Sequence, residues 1–295
     1  MKILFINIWM HPKNMHSLKS YKNIKLTIVN NISDIDNYDL STFDCVYSPS
    51  EPVDVSKYPG VCFLFGPHFS VFPDDKIKII KSDKTFYLMP GKWCVDDWIT
   101  NPICKNLNMV FCPFGVDTEM FNEITPIQNR QTVFIYYKSR HPEELFYMEK
   151  ILTSNGINYK VFNYNIGYNE NEYLEYLQNS KFGIWIGRHE SQGFALEEAL
   201  SCNVPLLVWN VRSMNQEYGQ KYPDIPATVI PYWDDRCGEY FYDMSDFEEK
   251  CKLFFSKIET YKPREYVLEN LSMSVCEKQF MNIVLDLKKK EYSQS

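Results

Sequence analysis

Two glutamates in one short stretch of the chain have a spacing that could hold a ligand. Glu190 and Glu198 are separated by seven residues, and Gly193 lies between them. The stretch follows an apolar, strand-like run, and its pattern predicts a helix that begins near Gly193. The first N–H groups of such a helix have no intrahelical acceptor, so they form a site for anions or hydroxyl groups. Two carboxylates beside that site could accept hydrogen bonds from one extended ligand.

The alternative for these glutamates is an ordinary solvated helix face. Their position between a strand end and a helix start favours the ligand site, because ligand pockets are built from a few convergent polar groups in a concave place. The neighbouring Glu197 points about 100° away from Glu198 on a helix. Glu197 is therefore interpreted as a surface glutamate outside the site.

The first half of the chain is a series of short apolar runs separated by polar or helical pieces. Continuous apolar runs of this kind are typical of strands in a parallel sheet that is covered on both faces. The predicted strands are KILFINI, KLTIVN, DCVYS, GVCFLFG, TFYLMP and NMVFCPFG, and GKWCVDDWI is a predicted short helix. The segment NIWMHPKNMHSLKS, which contains His11 and His16, is interpreted as a loop.

Strands and helices alternate regularly after a polar, proline-containing segment at 123–131, which is interpreted as a linker. The predicted strands are TVFIYY, NYKVFNY, KFGIWIG, VPLLVWN and TVIPYW, and the predicted helices are PEELFYMEKILTSNG, NENEYLEYLQNS, GFALEEALSCN and the segments after Ser245. Such alternation predicts a parallel sheet with right-handed crossovers. The expected organisation is two α/β lobes, 1–122 and 130–272, that flank a cleft, with a terminal helix at about 275–295 returning to the first lobe.

The composition is that of a globular protein, with 45% hydrophobic and 23% charged residues among 295. The net charge of −7 argues against general binding to nucleic acids or anionic membranes. Nine cysteines without a C-x-x-C pair predict free thiols in a reducing compartment. No segment approaches the length of a transmembrane helix. The sequence thus predicts a cytoplasmic protein, in a host cell if the gene is viral, and leaves the oligomeric state open.

Three segments resemble a known family. "HESQGFALEEALSCNVPLLV" is similar to the E-x7-E signature of retaining GT-B glycosyltransferases of the family-4 type, and "CPFGVDTEMF" resembles the P-x-G-V-D-x-x-x-F segment that ends their first lobe. The helical stretch "PREYVLENLSMSVCEKQF" resembles their C-terminal helices. The detailed resemblance covers about 110–280, and it implies a GT-B fold with two Rossmann-like lobes.

The resemblance also implies roles for the motif residues. In the family the first glutamate lies near the donor sugar and the second holds the ribose, which assigns these roles to Glu190 and Glu198. The amides of Gly193 and Phe194 would face the donor sugar or its phosphate. Gln192 stands where the family usually has Phe, so the sugar itself stays open.

A nucleotide diphosphate donor needs cations beside its phosphates, because the leaving group becomes more negative as the glycosidic bond breaks. The family supplies an Arg and a Lys after the first strand of its second lobe. Lys138 and Arg140 follow TVFIYY here, although their spacing differs from the family's usual pattern. Arg188 is a third candidate because it also follows a predicted strand. The alternative for Lys138 and Arg140 is a pair of solvated loop cations.

His68 follows a strand of the first half, in the region where family members often place a histidine near the donor sugar. It could donate to a sugar hydroxyl or stabilise charge as a catalytic residue, and the alternative is a structural histidine. His189 could belong to the pocket or to the packing, and His141 is interpreted as a surface residue. The family's glycine-rich loop after the first strand has no counterpart in the segment that contains His11 and His16.

No metal or cofactor is predicted. Asp34 and Asp36 form a D-x-D pair, but they lie in a polar segment far from the other motifs, and a turn is the favoured interpretation. A GT-B enzyme uses Lys and Arg in place of a metal. The G-x-x-x-x-G-K-[ST], G-x-G-x-x-G and G-x-S-x-G motifs are absent from the sequence, which removes support for ATP hydrolysis, hydride transfer and serine-hydrolase chemistry.

The resemblance implies a metal-independent, retaining glycosyltransferase of glycan biosynthesis. It would move a hexosyl or related sugar from a UDP-, GDP- or dTDP-sugar to a glycan or small-molecule acceptor, bound mainly by the first lobe. Two alternatives use the same fold: a nucleotide-sugar epimerase or phosphorylase, and a non-catalytic protein that binds nucleotide sugars or glycans. The donor base, the sugar, the acceptor and the linkage are not predicted.

Overall fold

The computed structural model describes residues 1–289. The chain divides into two compact units. Among the described residues, the first unit contains Met1–Gly115 and 273–289, and the second contains Val116–Ser272. Within the predicted terminal segment at about 275–295, residues 290–295 lie outside the described part of the chain.

The first unit is built on a sheet of six parallel strands, in the order β2-β1-β3-β4-β5-β6. All six strands lie within apolar runs of the sequence, as predicted, and most of their side chains are buried. The strands are β1 (Lys2–Ile6), β2 (Lys25–Val29), β3 (Cys45–Ser48), β4 (Phe63–Phe65), β5 (Thr85–Met89) and β6 (Met109–Phe111).

Three α-helices accompany this sheet: α1 (Pro12–Ser20), α2 (Lys92–Trp98) and α8 (Met273–Lys289). The prediction of a loop at α1 is wrong. Pro12 occupies the first turn and the His11 side chain caps the helix by accepting from the N–H of Lys13. The helix buries Asn14, Ser17 and Leu18, so its inner face is mostly polar and shows no hydrophobic period in the sequence.

The last helix joins the first unit, as predicted. The ring of Phe280 on α8 lies 5.9 Å from the ring of Tyr47 on β3 and 6.1 Å from that of Tyr21. Lys288 forms an ion pair with Asp44, just before β3. The helical stretch predicted from Pro263 onward is two helices, because the chain is interrupted between Asn270 and Met273 by a turn and a β-bridge.

The second unit contains five parallel strands in the order β11-β10-β9-β7-β8. Its strands are β7 (Thr132–Tyr137), β8 (Lys160–Asn163), β9 (Ser180–Ile186), β10 (Leu206–Trp209) and β11 (Gly238–Phe241). Its helices are α3 (Pro142–Ser154), α4 (Glu170–Leu177), α5 (Phe194–Ser201), α6 (Met244–Lys257) and α7 (Pro263–Asn270). The prediction of a strand at TVIPYW is wrong. Residues 228–233 form a loop with bends, and the edge strand of the sheet comes later, at β11.

The segment at 123–131, predicted as a linker, is held within the second unit. The buried guanidinium of Arg130 donates to the carbonyls of Thr125, Ser180 and Cys202. Arg264 of α7 donates to the carbonyl of Phe121 at 3.0 Å. Buried charged donors need such acceptors, and here they fix the start of the second unit on its core.

No helix within residues 1–289 is both long and apolar enough to cross a membrane.

Candidate functional site

The predicted site residues of the second unit gather where β7 and β9 end. These strands are neighbours although β8 separates them in sequence, so their carboxyl ends form the switch point at which open α/β sheets bind ligands. Lys138 follows β7 directly, and its N–H donates to Ile186 at the end of β9 at 2.9 Å. Arg188, His189 and Glu190 come within four residues of that strand end.

Lys138 and Glu190 form an ion pair at this edge. Nζ of Lys138 lies 2.7 Å from Oε1 of Glu190, and the two side chains are only 10% and 15% exposed. Nζ also lies 4.1 Å from the ring centre of Tyr164, which is half exposed. The Glu190 N–H donates to the carbonyl of Thr228 at 2.9 Å. The pair is therefore held on both sides and keeps a small accessible face.

Arg188 supplies a second cation. Its Nη1 lies 3.3 Å from Oε2 of Glu217, and its side chain is 30% exposed. Burial lowers the pKa of the Arg188 guanidinium, but the nearby carboxylates of Glu190 and Glu217 raise it by more, so its pKa lies above the usual value. Arg188 is thus a permanent charge that combines a fixed position with an accessible part.

His189 packs behind Arg188. Its Nδ1 lies 3.5 Å from Oε2 of Glu217, and its ring meets that of Tyr222 edge to face. Burial, followed by the charge of Arg188, lowers the pKa of His189 to about 4. The ring is neutral at physiological pH and buried, which favours packing and support over contact with a ligand.

Glu217 is a site residue that the sequence did not reveal. It lies in a polar segment after β10 that gives no periodic or motif signal, and its only sequence clue is its place beyond a strand end. Its side chain is 9% exposed, and its Oε2 lies 3.3 Å from Nη1 of Arg188 and 3.5 Å from Nδ1 of His189. The N–H of Tyr218 donates to the carbonyl of Ser139, next to Lys138, at 2.8 Å. This segment therefore connects the ends of β7 and β9.

Arg140 is buried at 1% exposure, and its donors are used within the protein. Its Nη1 donates to the carbonyls of Gly187 at 3.1 Å and Trp209 at 3.0 Å, and its Nη2 binds Glu144 at 2.7 Å. These bonds link the carboxyl ends of β9 and β10. The geometry favours a positioning role for Arg140 over the donor contact that the sequence predicts.

Helix α5 begins at this edge. Gly193 caps it with φ +88°, a left-handed conformation that side-chain-bearing residues rarely adopt. The N–H groups of Leu196 and Glu197 both donate to the carbonyl of Gly193. The positive end of the helix dipole lies at the half-buried Phe194. Glu198 follows one turn later and is 3% exposed, so it is no surface glutamate.

Glu197 is buried, and its interpretation as a surface residue is wrong. The carboxylate has no exposed surface and accepts two hydrogen bonds from Nε2 of Gln192, at 2.9 and 3.1 Å. Gln192 is itself buried at 6%. A phenylalanine at this position could not donate to the carboxylate. Gln192 and Glu197 therefore form a polar pair that fixes the turn before α5.

Asn210 is a second residue that the sequence did not reveal. It follows β10, is 2% exposed, and its Oδ1 accepts from the N–H of Val229 at 2.8 Å and from the hydroxyl of Thr228 at 3.0 Å. Thr228 in turn accepts the N–H of Glu190. The residues predicted as the strand TVIPYW thus form a loop that positions Glu190.

His68 belongs to the first unit, whereas the other predicted site residues belong to the second. It follows β4, and its Nε2 lies 3.1 Å from the amide nitrogen of Asn14 on α1. The ring of Trp9 meets it edge to face at 4.6 Å. Burial, followed by the charge of His11, lowers the pKa of His68 to about 4, so the imidazole is neutral at physiological pH.

The D-x-D pair forms a turn, as predicted. Asp34 lies in a 3-10 helix (Ile32–Asn37) and its carboxylate accepts from the N–H of Asn31, while Asp36 accepts from the hydroxyl of Tyr58. Across the described chain, no group of three or more His, Cys, Asp or Glu residues is arranged to hold a metal ion.

No protein-family model matches the chain, and no curated protein matches it in sequence. Solved structures do match. The apo form of the lipopolysaccharide outer core galactosyltransferase WaaB is 14% identical, with 97% of this chain and 99% of that chain covered and a TM-score of 0.55. The N-terminal domain of the trehalose-6-phosphate phosphatase of Candida albicans is 10% identical, with 97% of each chain covered and a TM-score of 0.53. With two parallel-sheet α/β units, the chain has the predicted GT-B fold.

Proposed function

We propose that the protein is a glycosyltransferase that takes its sugar from a nucleotide diphosphate sugar. The observation that carries the proposal is the pair of cations, Lys138 and Arg188, at the switch point of the second sheet and beside the start of α5. Two cations next to a helix N-terminus suit a diphosphate in charge, and their side chains, 10% exposed in Lys138 and 30% in Arg188, keep part of their surface open. The structural likeness to WaaB, a galactosyltransferase, is consistent with this activity.

The donor would be held by groups with separate tasks. Lys138 and Arg188 would bind the phosphates, with the N–H groups at Gly193 and Phe194 facing the phosphate or the sugar. Glu198, buried one turn along α5, would accept from the ribose hydroxyls. Glu190 would accept from a hydroxyl of the donor sugar while it orients Lys138 through their 2.7 Å contact.

The reaction would proceed with retention at the anomeric carbon. The bond between that carbon and the phosphate oxygen breaks, and the acceptor oxygen forms a new bond on the same face. The acceptor proton passes to the departing phosphate oxygen, and a nucleoside diphosphate leaves. Lys138 and Arg188 stabilise the charge that develops on this oxygen, so a divalent metal is not required.

A reducing, cytoplasmic compartment is part of the proposal, supported by nine cysteines of which none is part of a disulfide.

Nucleotide release from a panel of UDP-, GDP- and dTDP-sugars tests the proposal, with and without simple glycosides as acceptors. We expect turnover with one donor class that persists in EDTA and yields a product with the donor's anomeric configuration by NMR. Glu198→Ala should raise the donor KM, and Glu190→Ala should lower kcat. Glu175→Ala, on the exposed part of α4, is the control.

Two outcomes would favour the alternatives that share this fold. Tight donor binding, seen as a raised melting temperature, without turnover on any acceptor would identify a binding protein. A change in the sugar without release of nucleotide would identify an epimerase.

A further inference from the structure

The first unit has a switch point of its own, where β1 and β3 are neighbours although β2 separates them in sequence. Trp9 lies three residues beyond β1, and Ser50 lies two residues beyond β3. Trp9 is 52% exposed, and the neighbouring Ile8 is 44% exposed. Large aromatic side chains usually bury most of their surface, so an exposed indole at this edge is informative.

The neutral ring of His68 borders the indole, and Asn14 binds that ring. His68 meets the Trp9 ring at 4.6 Å with an interplanar angle of 83°, which fixes one edge of the indole. Asn14 is 4% exposed and binds His68 at 3.1 Å. With the amide of Asn14 as donor, Nε2 accepts, and the neutral ring carries its proton on Nδ1.

The end of β3 adds a buried hydroxyl. Within residues 1–289, Oγ of Ser50 is buried and has no hydrogen-bond partner. Its neighbour Pro49 accepts the N–H of His68 at 2.8 Å, which places both residues at the same edge. Buried hydroxyls without a protein partner are commonly satisfied by water or ligand.

We propose that Trp9, Asn14 and His68 form a binding site for an uncharged pyranose unit. The indole is the platform for the C–H face of the sugar ring, and the neutral amide and imidazole bind its hydroxyls. An apolar surface with a few fixed polar groups is the usual composition of a small-molecule site. The identification of this sugar as part of the acceptor rests on the proposed function, whereas the binding of the sugar does not.

Saturation-transfer NMR tests the site with two uncharged probes, methyl β-D-galactopyranoside and methyl α-D-glucopyranoside, and with two anionic ones, methyl β-D-glucuronide and glucose 6-phosphate. The variants are Trp9→Ala, Trp9→Phe and His68→Gln. Tyr38→Ala is the matched control, because Tyr38 is an exposed aromatic residue that packs on Phe43 before β3. Melting temperatures with UDP, GDP and dTDP report on the second unit independently.

We expect an uncharged probe to bind the wild-type protein and to bind Trp9→Ala about tenfold more weakly, with Trp9→Phe and Tyr38→Ala close to wild type. His68→Gln should weaken binding less than Trp9→Ala. Equal binding to Trp9→Ala and wild type, tighter binding of the anionic probes, or no binding of either uncharged probe would each overturn the proposal. A failure of the nucleotides to bind would count against the proposed function and leave the sugar site intact.

Discussion

The two units present the same backbone arrangement with different chemistry. In each sheet the first strand lies between the second and the third, in the orders β2-β1-β3 and β8-β7-β9. The switch point of the second unit carries two ion pairs, Lys138–Glu190 at 2.7 Å and Arg188–Glu217 at 3.3 Å. At that of the first unit, an exposed indole contacts a neutral imidazole. The strand order determines where a ligand can bind, and the residues after each strand determine which ligand.

Burial of the charges supports the proposed phosphate site at the edge of the second sheet. Lys138 and Glu190 are both mostly buried, so each charge depends on the other for compensation. A dianionic ligand could become a second partner of Lys138 beside Glu190, whereas an uncharged ligand could not supply that charge. Trp9 and His68 of the first unit carry no charge that an anionic ligand could compensate. Hydroxyl groups are therefore the better match there.

The largest effect is expected from removing the cation at the charged edge. Lys138→Ala should lower kcat/KM for the donor by about 100-fold or more, because a preorganised positive charge at the leaving group acts mainly on the transition state. Nucleotide-release kinetics measure this decrease in kcat/KM. Lys150→Ala, an exposed lysine on α3, is the control. Unchanged kcat/KM in Lys138→Ala would remove this residue from the mechanism, while binding of uncharged sugars by the first unit should be unaffected.

A smaller effect is expected from substituting Glu217, which would act on the donor only through Arg188. Glu217→Gln keeps the shape of the side chain but removes the charge that holds Arg188 at 3.3 Å. The donor KM should rise about tenfold, with a smaller change in kcat. Removing one charge of a buried charged pair costs about 2 kcal/mol or more, and rotation of Arg188 regains part of that free energy. Glu249→Gln on the exposed face of α6 is the comparison variant. Equal donor KM values in the two variants would show that Glu217 does not position Arg188.

Substituting Gly193 distinguishes a loss of stability caused by backbone strain from a loss of nucleotide binding. Gly193→Ala should destabilise the protein by about 1–2 kcal/mol, because φ +88° disfavours a side chain. Gly167→Ala is a matched control, since φ is +82° there and an added Cβ would meet nothing within 4 Å. Urea unfolding should give similar losses for both variants, and only Gly193→Ala should also weaken nucleotide binding. Equal nucleotide affinities in the two variants would place the ligand away from α5.

The strand ends of the site were predictable because they follow continuous apolar runs. TVFIYY and KFGIWIG correspond to β7 and β9, so the sequence pattern alone assigns Lys138 and Glu190 to one sheet edge. The sequence pattern also predicted a helix start near Gly193, and α5 begins at Phe194. Local sequence patterns were sufficient here, since both the strands and the residues that follow them are set within a few positions.

Residues whose role depends on tertiary contacts were not predictable. Glu197 is buried because Gln192 from the preceding turn donates to it, and nothing in a helical pattern indicates that donor. The charged segment containing Glu217 and the mainly polar inner face of α1 show no hydrophobic period. TVIPYW has the composition of a strand. In the structure, however, its Thr228 carbonyl accepts from the N–H of Glu190, and its Val229 N–H donates to the side chain of Asn210. These contacts hold the segment as a loop.

The smallest expected effect is a pH dependence of stability, to which His68 in the first unit and His189 in the second contribute in the same way. The pKa values of His68 and His189 are lowered to about 4 in the folded protein, below the ordinary value of 6.5. The unfolded chain therefore binds more protons than the folded chain between pH 6.5 and pH 4. Stability from each neutral histidine is present above pH 6.5 and is lost as the pH falls toward 4.

Each histidine should contribute a loss of about 1 kcal/mol between pH 6 and pH 5, since a full proton difference corresponds to about 1.4 kcal/mol per pH unit. Urea unfolding at the two pH values measures this loss, and His68→Gln and His189→Gln should each reduce it. The double variant should lose both contributions additively, because the two residues belong to different units and share no partner. A pH slope that is the same in wild type and double variant would mean that neither ring is buried in its neutral form, and the uncharged edge around His68 would then resemble the charged one.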